Sequence, residues 1–220
     1  MPRFLIYLFS FFMDIPVEKF QSPLNPYLIV KIFNGKYILD ACNVNYSYGR
    51  LHDLFVKTFR KIEIHKIPVR DALILGFGGG SIAAMLSDLF PEIVITGVEA
   101  DRTVIGIADK FFSGKYHPNT KIICGNAFEH VKIQTVKFDL VAIDIYLDDM
   151  VPEKFASAEF YKNIAGLLKP GGIVVFNRML LSHCSEEIIT DETERFCRFF
   201  PDGYSMKIQE NLMLVSRKIG

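Results

Sequence analysis

From Val69 onward the chain alternates short, almost wholly apolar runs with segments whose apolar residues recur every three or four positions. The runs predict strands at Ala72–Leu75, Ile93–Glu99, Lys121–Cys124, Leu140–Asp144 and Gly172–Asn177. The segments between them predict helices at Ser81–Phe90, Arg102–Phe112, Ala127–Val131 and Ala156–Leu168. Strands without polar alternation are buried on both faces, so this order implies an α/β domain whose parallel sheet carries helices on both sides. A further helix over Ser185–Phe199 leads to Tyr204–Ile208 and Asn211–Ser216. Only Gln209 and Glu210 separate these last two runs, which predicts a hairpin at one sheet edge.

The preceding stretch is patterned differently. Between Asp14 and Asn45 the runs IPVEKF, YLIVKIF and KYILDA read as strands, and Asn34-Gly35 between the last two is a two-residue hairpin signal. This predicts a small antiparallel lead-in. Gly49–His65 follows with helical periodicity, placing Leu51, Leu54, Phe55, Phe59 and Ile62 on one face. At the start, Arg3 precedes the apolar FLIYLFSFFM, which is too short to span a bilayer and is followed by no small-x-small cleavage site. An amphipathic segment or strand packed on the domain or on a partner subunit is expected there, with export as the alternative.

Half of the 220 residues are apolar, enough to bury a full core. The 25 basic and 25 acidic residues cancel, so nothing points to nucleic acid or a membrane surface as partner. Cys42, Cys124, Cys184 and Cys197 are scattered without paired spacing, which suits reduced thiols of a cytoplasmic protein and argues against a disulfide framework or a metal site. The histidines likewise show no metal-ligand spacing.

The chemistry concentrates in ALILGFGGGSIAAMLSDLFPEIVITGVEAD, from Ala72 to Asp101. Its order is strand, glycine turn, helix, strand, acid. Gly76, Gly78 and Gly80 let the backbone turn tightly and approach a ligand, and the following helix start offers free N–H groups. Glu99, about 20 residues beyond the turn, can accept both hydroxyls of a ribose. The spacing is Gly-x-Gly-x-Gly, with Ser81 where a dinucleotide fingerprint has its third glycine; this favours S-adenosyl sulfonium nucleosides over NAD. Asp144, at the tip of the fourth apolar run, lies where open α/β sheets place their chemistry.

In five ordered motifs the chain resembles the spermidine synthase (aminopropyltransferase) family, a branch of the class I S-adenosylmethionine-dependent methyltransferase superfamily. LILGFGGGSIAAML is similar to its first glycine motif, GVEADRTVIGIADKFF to its ribose-binding strand and helix, and CGNAFEHV to its adenine motif. FDLVAIDIYLDD is similar to its catalytic strand and gate loop, and EFYKNIAGLLKPGGIVVFN to the elements that follow. LDACNVNYSYGRLHDLF resembles the region that shapes its acceptor pocket.

The resemblance implies a Rossmann-like sheet of five parallel strands with a C-terminal antiparallel hairpin. It would be divided into residues 1–48, an N-terminal segment and hairpin lead-in, and 49–220, the S-adenosyl-nucleoside-binding domain. It implies Gly76, Gly78 and Gly80 beside the methionine part of the nucleoside, Glu99 on the ribose, and Ala100, Asn126 and Ala127 around the adenine. Asp144 would be the base or orienter of the acceptor. Tyr48, His52, Tyr146 and Asp148 would border a small-molecule acceptor, in a homodimer.

Two departures stand out. Gly79 and Gly80 occupy the region where the family carries an aspartate that grips the cofactor's ammonium, and the gate loop reads Asp144-Ile145-Tyr146-Leu147-Asp148-Asp149. The gate loop keeps its leading acid, and Asp148 or Asp149 could supply the second; the missing turn aspartate counts against ordinary polyamine synthesis. Transfer of a methyl or an aminopropyl group therefore stays open. The rival readings are a catalytically inactive nucleoside-binding or scaffold protein of the same fold, and NAD-linked oxidoreduction.

Overall fold

The computed structural model describes residues 3–41, 45–146, 151–179 and 185–218. The chain begins with helix α1 (Arg3–Phe9), then a four-stranded antiparallel sheet of β1 (Ile15–Phe20), β2 (Leu28–Phe33), β3 (Lys36–Ala41) and β4 (Asn45–Ser47). Next comes α2 (Arg50–Lys61), followed by β5 (Asp71–Leu75), α3 (Ser81–Leu89), β6 (Val94–Glu99), α4 (Arg102–Phe111) and β7 (Thr120–Cys124). The remainder is α5 (Ala127–Ile133), β8 (Phe138–Ile143), α6 (Ala158–Leu167), β9 (Leu168–Met179), α7 (Glu186–Cys197), β10 (Tyr204–Ile208) and β11 (Asn211–Arg217). The first segment is thus helical rather than a strand. Its end is tied to the β2–β3 turn, where the Gly35 N–H donates to Ser10 Oγ at 2.9 Å.

The large sheet has the order β10-β11-β9-β8-β5-β6-β7. The five strands from β9 to β7 are parallel, and β11 and β10 close the edge antiparallel. The expected parallel sheet and terminal hairpin are therefore present. The β2–β3 hairpin also forms as expected, with Asn34 at φ 48° and Gly35 at φ 70°, the left-handed pair a two-residue turn requires.

Side-chain alternation divides the core. Ala72 and Ile74 of β5 face a layer with Leu54, Phe55 and Phe59 of α2 and Ile82, Ala83 and Leu86 of α3. Leu73 and Leu75 face the opposite layer, with Val131 of α5, Phe160 and Ile164 of α6 and Phe196 of α7. This two-sided burial explains why the sequence of β5 shows no polar alternation. The small sheet packs on the large domain through Leu28, Val30, Ile38 and Leu39 against Ala84 of α3 and Val104 and Ile107 of α4. Among the described residues no helix is long and apolar enough to cross a membrane.

One polar anchor joins the two sheets at the end that carries the glycine turn. Asp101, buried just beyond β6, caps α4 by accepting from the Thr103 N–H at 2.9 Å. It also accepts from Asn25 Nδ2 at 2.7 Å and from Ser22 Oγ, both in the β1–β2 connection. Replacing Asp101 by Ala removes a cap and leaves the buried Asn25 amide without its acceptor. A loss of about 2–4 kcal/mol in denaturant unfolding is expected, with faster amide exchange over residues 21–27. Exchange unchanged there would remove Asp101 as the anchor.

Candidate functional site

The strand order reverses at β5: β6 and β7 lie on one side and β8 and β9 on the other. Open α/β sheets leave a crevice at that point beyond their strand ends, and the candidate residues gather there. Leu75 ends β5, and the chain enters the turn Gly76–Gly80, whose first, third and fifth residues have φ values of 85°, 56° and 82°. At two of these positions a side chain is also excluded by space. A Cβ on Gly76 would lie 2.0 Å from the Asp144 carbonyl oxygen, and one on Gly80 would lie 2.8 Å from the Tyr116 ring. The glycines are therefore demanded by the close approach of β8 and of the chain after α4, and not only by backbone conformation.

Glu99, at the end of β6, is 7% exposed. The Gly78 N–H donates to its Oε2 at 2.9 Å, and the Asp101 N–H donates to its Oε1 at 3.0 Å. Burial raises its pKa, while the backbone donors of Asp101, Gly78 and Ala100 oppose the rise. Each carboxylate oxygen has a second lone pair, so the group retains acceptor capacity toward a ligand.

Asp144 follows β8, half-buried and directly behind Gly76. Burial and the nearby Glu99 push its pKa up to about 7, against one hydrogen bond from Asn177. That bond runs from Asn177 Nδ2 to Asp144 Oδ1 at 2.8 Å. Oδ2 makes no hydrogen bond among the described residues. Tyr146 stands beside it and donates from Oη to the Asn177 carbonyl oxygen at 3.1 Å.

The structure separates the remaining candidates into three groups. Asn126 caps α5, its side-chain carbonyl accepting from the Phe128 N–H at 2.9 Å, while Ala127 is buried behind it. The cap leaves the Asn126 NH2 as its free face, so a donor as well as an acceptor is on offer there. Ala100 is exposed next to Glu99.

Tyr48 and His52 adjoin the far flank of the glycine turn. The Gly79 N–H donates to Ser47 Oγ at 2.7 Å, and His52 Nδ1 lies 3.4 Å from Ser81 Oγ. Tyr48 is buried at φ 63°, an uncommon backbone conformation for a bulky residue. Its ring stacks on Phe112 at 4.9 Å, and Lys115 Nζ sits 4.2 Å from its centroid. Burial lowers the pKa of His52, favouring the neutral ring. Asp148 and Asp149 lie outside the described residues, as do the side chains of Tyr46 and Arg50.

Sequence reasoning missed Asn177 and Ser47. Asn177 ends the apolar run IVVFN, and a polar residue closing a strand at the sheet's C-terminal end was the available signal. Ser47 carried none, since its role depends on β4 folding back onto the turn.

A model of the spermine/spermidine synthase domain matches residues 61–207. A polyamine aminopropyltransferase of Vibrio vulnificus is 29% identical over 141 residues, covering 63% of this chain and 46% of that protein. A homolog of the eEF1A lysine and N-terminal methyltransferase from Drosophila melanogaster is 24% identical over 153 residues, 65% of this chain and 22% of that protein. The crystal structure of a probable spermidine synthase from Corynebacterium glutamicum superposes with a TM-score of 0.74 at 16% identity, covering 93% of this chain and 80% of that one. The chain thus matches less than half the length of these two curated relatives.

The geometry makes Gly76 the least replaceable residue of the turn. Gly76→Ala is expected to cost about 3 kcal/mol or more in unfolding free energy, through its positive φ and its collision with the Asp144 carbonyl. A variant as stable as the parent would mean that β8 does not close on the turn.

Proposed function

Because this chain belongs to the spermine/spermidine synthase domain family, we propose that it is a transferase acting on a sulfonium nucleoside and a small-molecule acceptor. The nucleoside is S-adenosylmethionine or its decarboxylated form. One observation carries the reading: the glycine turn, the buried Glu99 and the raised Asp144 meet at the strand-order reversal. The matched relatives are aminopropyl- and methyltransferases, which supports the reaction class.

A sulfonium nucleoside supplies an electrophilic carbon beside sulfur and a neutral thioether leaving group. The residues of the chain supply position and proton removal. Gly76, Gly78 and Gly80 let the main chain close on the amino-acid part of the nucleoside. Glu99 accepts from the ribose hydroxyls, and Ala100, Asn126 and Ala127 border the adenine. Asp144 takes the proton that the attacking heteroatom of the acceptor sheds. A base with a pKa of about 7 suits this task near neutral pH. Tyr146, Tyr48 and His52 border the acceptor side; Asp148, given the same role on the sequence, lies outside the described residues. A homodimer belongs to the proposal, supported by the exposed Tyr7, Phe11 and Phe12 near the chain start.

Of the two transferable groups, methyl is favoured. The family resemblance assigns the grip on a lone ammonium to an aspartate where Gly79 stands, yet a Cβ there would lie 2.8 Å from Ser47 Cβ and 3.2 Å from Phe112. The Lys115 ammonium stacks on this same flank, although Asp88 also bears on Tyr48 and His52. A cofactor that keeps its carboxylate fits this surround better than one reduced to an ammonium.

Titration calorimetry with S-adenosylmethionine, its decarboxylated form, methylthioadenosine and NAD distinguishes the readings. Binding of S-adenosylmethionine and methylthioadenosine but not NAD is expected. Preference for the decarboxylated form would return the protein to aminopropyl transfer. Absence of any sulfonium or thioether nucleoside binding would contradict the proposal.

Asp144 gives a second test. Because its folded-state pKa is raised, the stability available below the unfolded pKa of 3.8 is lost as pH climbs toward about 7. Asp144→Asn should therefore stabilise the protein increasingly over that range, by roughly 2–4 kcal/mol at pH 8, while turnover falls about a hundredfold or more. A stability difference independent of pH would mean that the carboxyl is not desolvated.

A further inference from the structure

Behind Asp144 runs a pair of amides that neither the glycine motif nor the reaction class requires. Asn177 on β9 is fully buried. Its Nδ2 donates to Asp144 Oδ1 at 2.8 Å, and its Oδ1 accepts from Asn211 Nδ2 on β11 at 2.8 Å. The two asparagines are diagonal neighbours across the antiparallel β9–β11 pair, where Asn177 faces Met213 and Asn211 faces Met179, so their side chains share one face of the sheet.

An ionised carboxylate only accepts hydrogen bonds, whereas a side-chain amide can turn either end toward it. Asn211 removes that choice. The Tyr146 hydroxyl, already donating to the Asn177 carbonyl, accepts from the Asn211 NH2 and so orients it. Asn211 Nδ2, donating to Asn177 Oδ1, then leaves the Asn177 NH2 facing Asp144. We propose that Asn177 and Asn211 are positioning residues that pin Oδ1 of Asp144 and leave Oδ2 aimed at the acceptor, keeping the carboxylate in its ionised, proton-accepting form. The proposal rests on the transferase reading for its purpose, though not for its chemistry.

The other groups facing Asp144 do not substitute for this pair. Glu99 from β6 opposes ionisation, as does burial. Tyr146 on the same segment directs its hydroxyl to the Asn177 backbone, and the Asn211 side chain bears on that phenol as well. Arg178 on β9, which bears on the Tyr146 phenol and not on Asp144, is engaged at 2.9 Å with Glu192 of α7. Among the described residues, Asn177 is the one side chain that hydrogen-bonds the carboxylate.

Carbon-13 NMR of the full chain labelled at aspartate Cγ, with the Asp144 signal assigned by its loss in Asp144→Asn, reads the effect without needing an acceptor. The parent should titrate near pH 7. Asn211→Ala and the near-isosteric Asn211→Leu should both move the midpoint upward by about half a pH unit or more, because the Asn177 amide is freed to turn its oxygen toward Asp144. The second variant keeps the volume, so a folding defect in the first leaves the test intact. Unmoved midpoints in the folded variants would overturn the pair. Failure of the parent to bind methylthioadenosine would instead overturn the catalytic purpose given to Asp144, leaving the titration to judge the amides alone.

Discussion

The site depends on a carboxylate held out of water by backbone donors. Glu99 is buried at the end of β6, and its two oxygens take N–H groups from two elements, Gly78 in the turn after β5 and Asp101 at the entry to α4. A carboxylate left unpaired in such a place would cost several kcal/mol, so the turn and the helix entry are drawn to it. That constraint sets the path of the glycine turn. The path brings Gly76 against the carbonyl of Asp144 and fixes where β8 delivers its carboxyl. Under the proposed function, nucleoside recognition and proton acceptance would thus share one mechanical origin.

The same carboxylate links the small sheet to the site. Asp101 donates its N–H to Glu99 while its side chain gathers Ser22 and Asn25 from the lead-in. On the other flank, Ser47 of the lead-in accepts from Gly79, and Tyr116 and Phe112 press on the turn. The N-terminal sheet therefore touches the glycine turn's surroundings at both ends. It closes the space beside Gly79 that an acidic side chain would need, and in the proposed function this would tie the choice of cofactor tail to an element distant in sequence.

Much of this was legible before the structure. Fully apolar runs announced β5 and β8, because a strand covered on both faces cannot alternate. Asn34-Gly35 announced its hairpin, because two consecutive left-handed residues are cheap only in such pairs. Gly76, Gly78, Gly80 and Glu99 were marked by their spacing and Asp144 by its place at a strand end and by the family resemblance, and they come together. What stayed hidden depends on long-range pairing. Asn177 and Asn211 are 34 residues apart, and their contact exists only in the β9–β11 register. Ser47 reaches Gly79 across 32 residues. The first segment was ambiguous because its aromatic-rich run suits a strand as readily as the short helix it forms.

The most direct test of the account is the affinity of methylthioadenosine for Glu99→Gln, measured by calorimetry beside the parent. Glutamine keeps the shape but turns one of the two acceptor oxygens into a donor facing backbone N–H groups. A folded variant should lose about tenfold or more in affinity, since a hydrogen bond to a charged group is worth about 1.5–3 kcal/mol. Affinity equal to the parent's would place the nucleoside elsewhere and contradict the central role of Glu99.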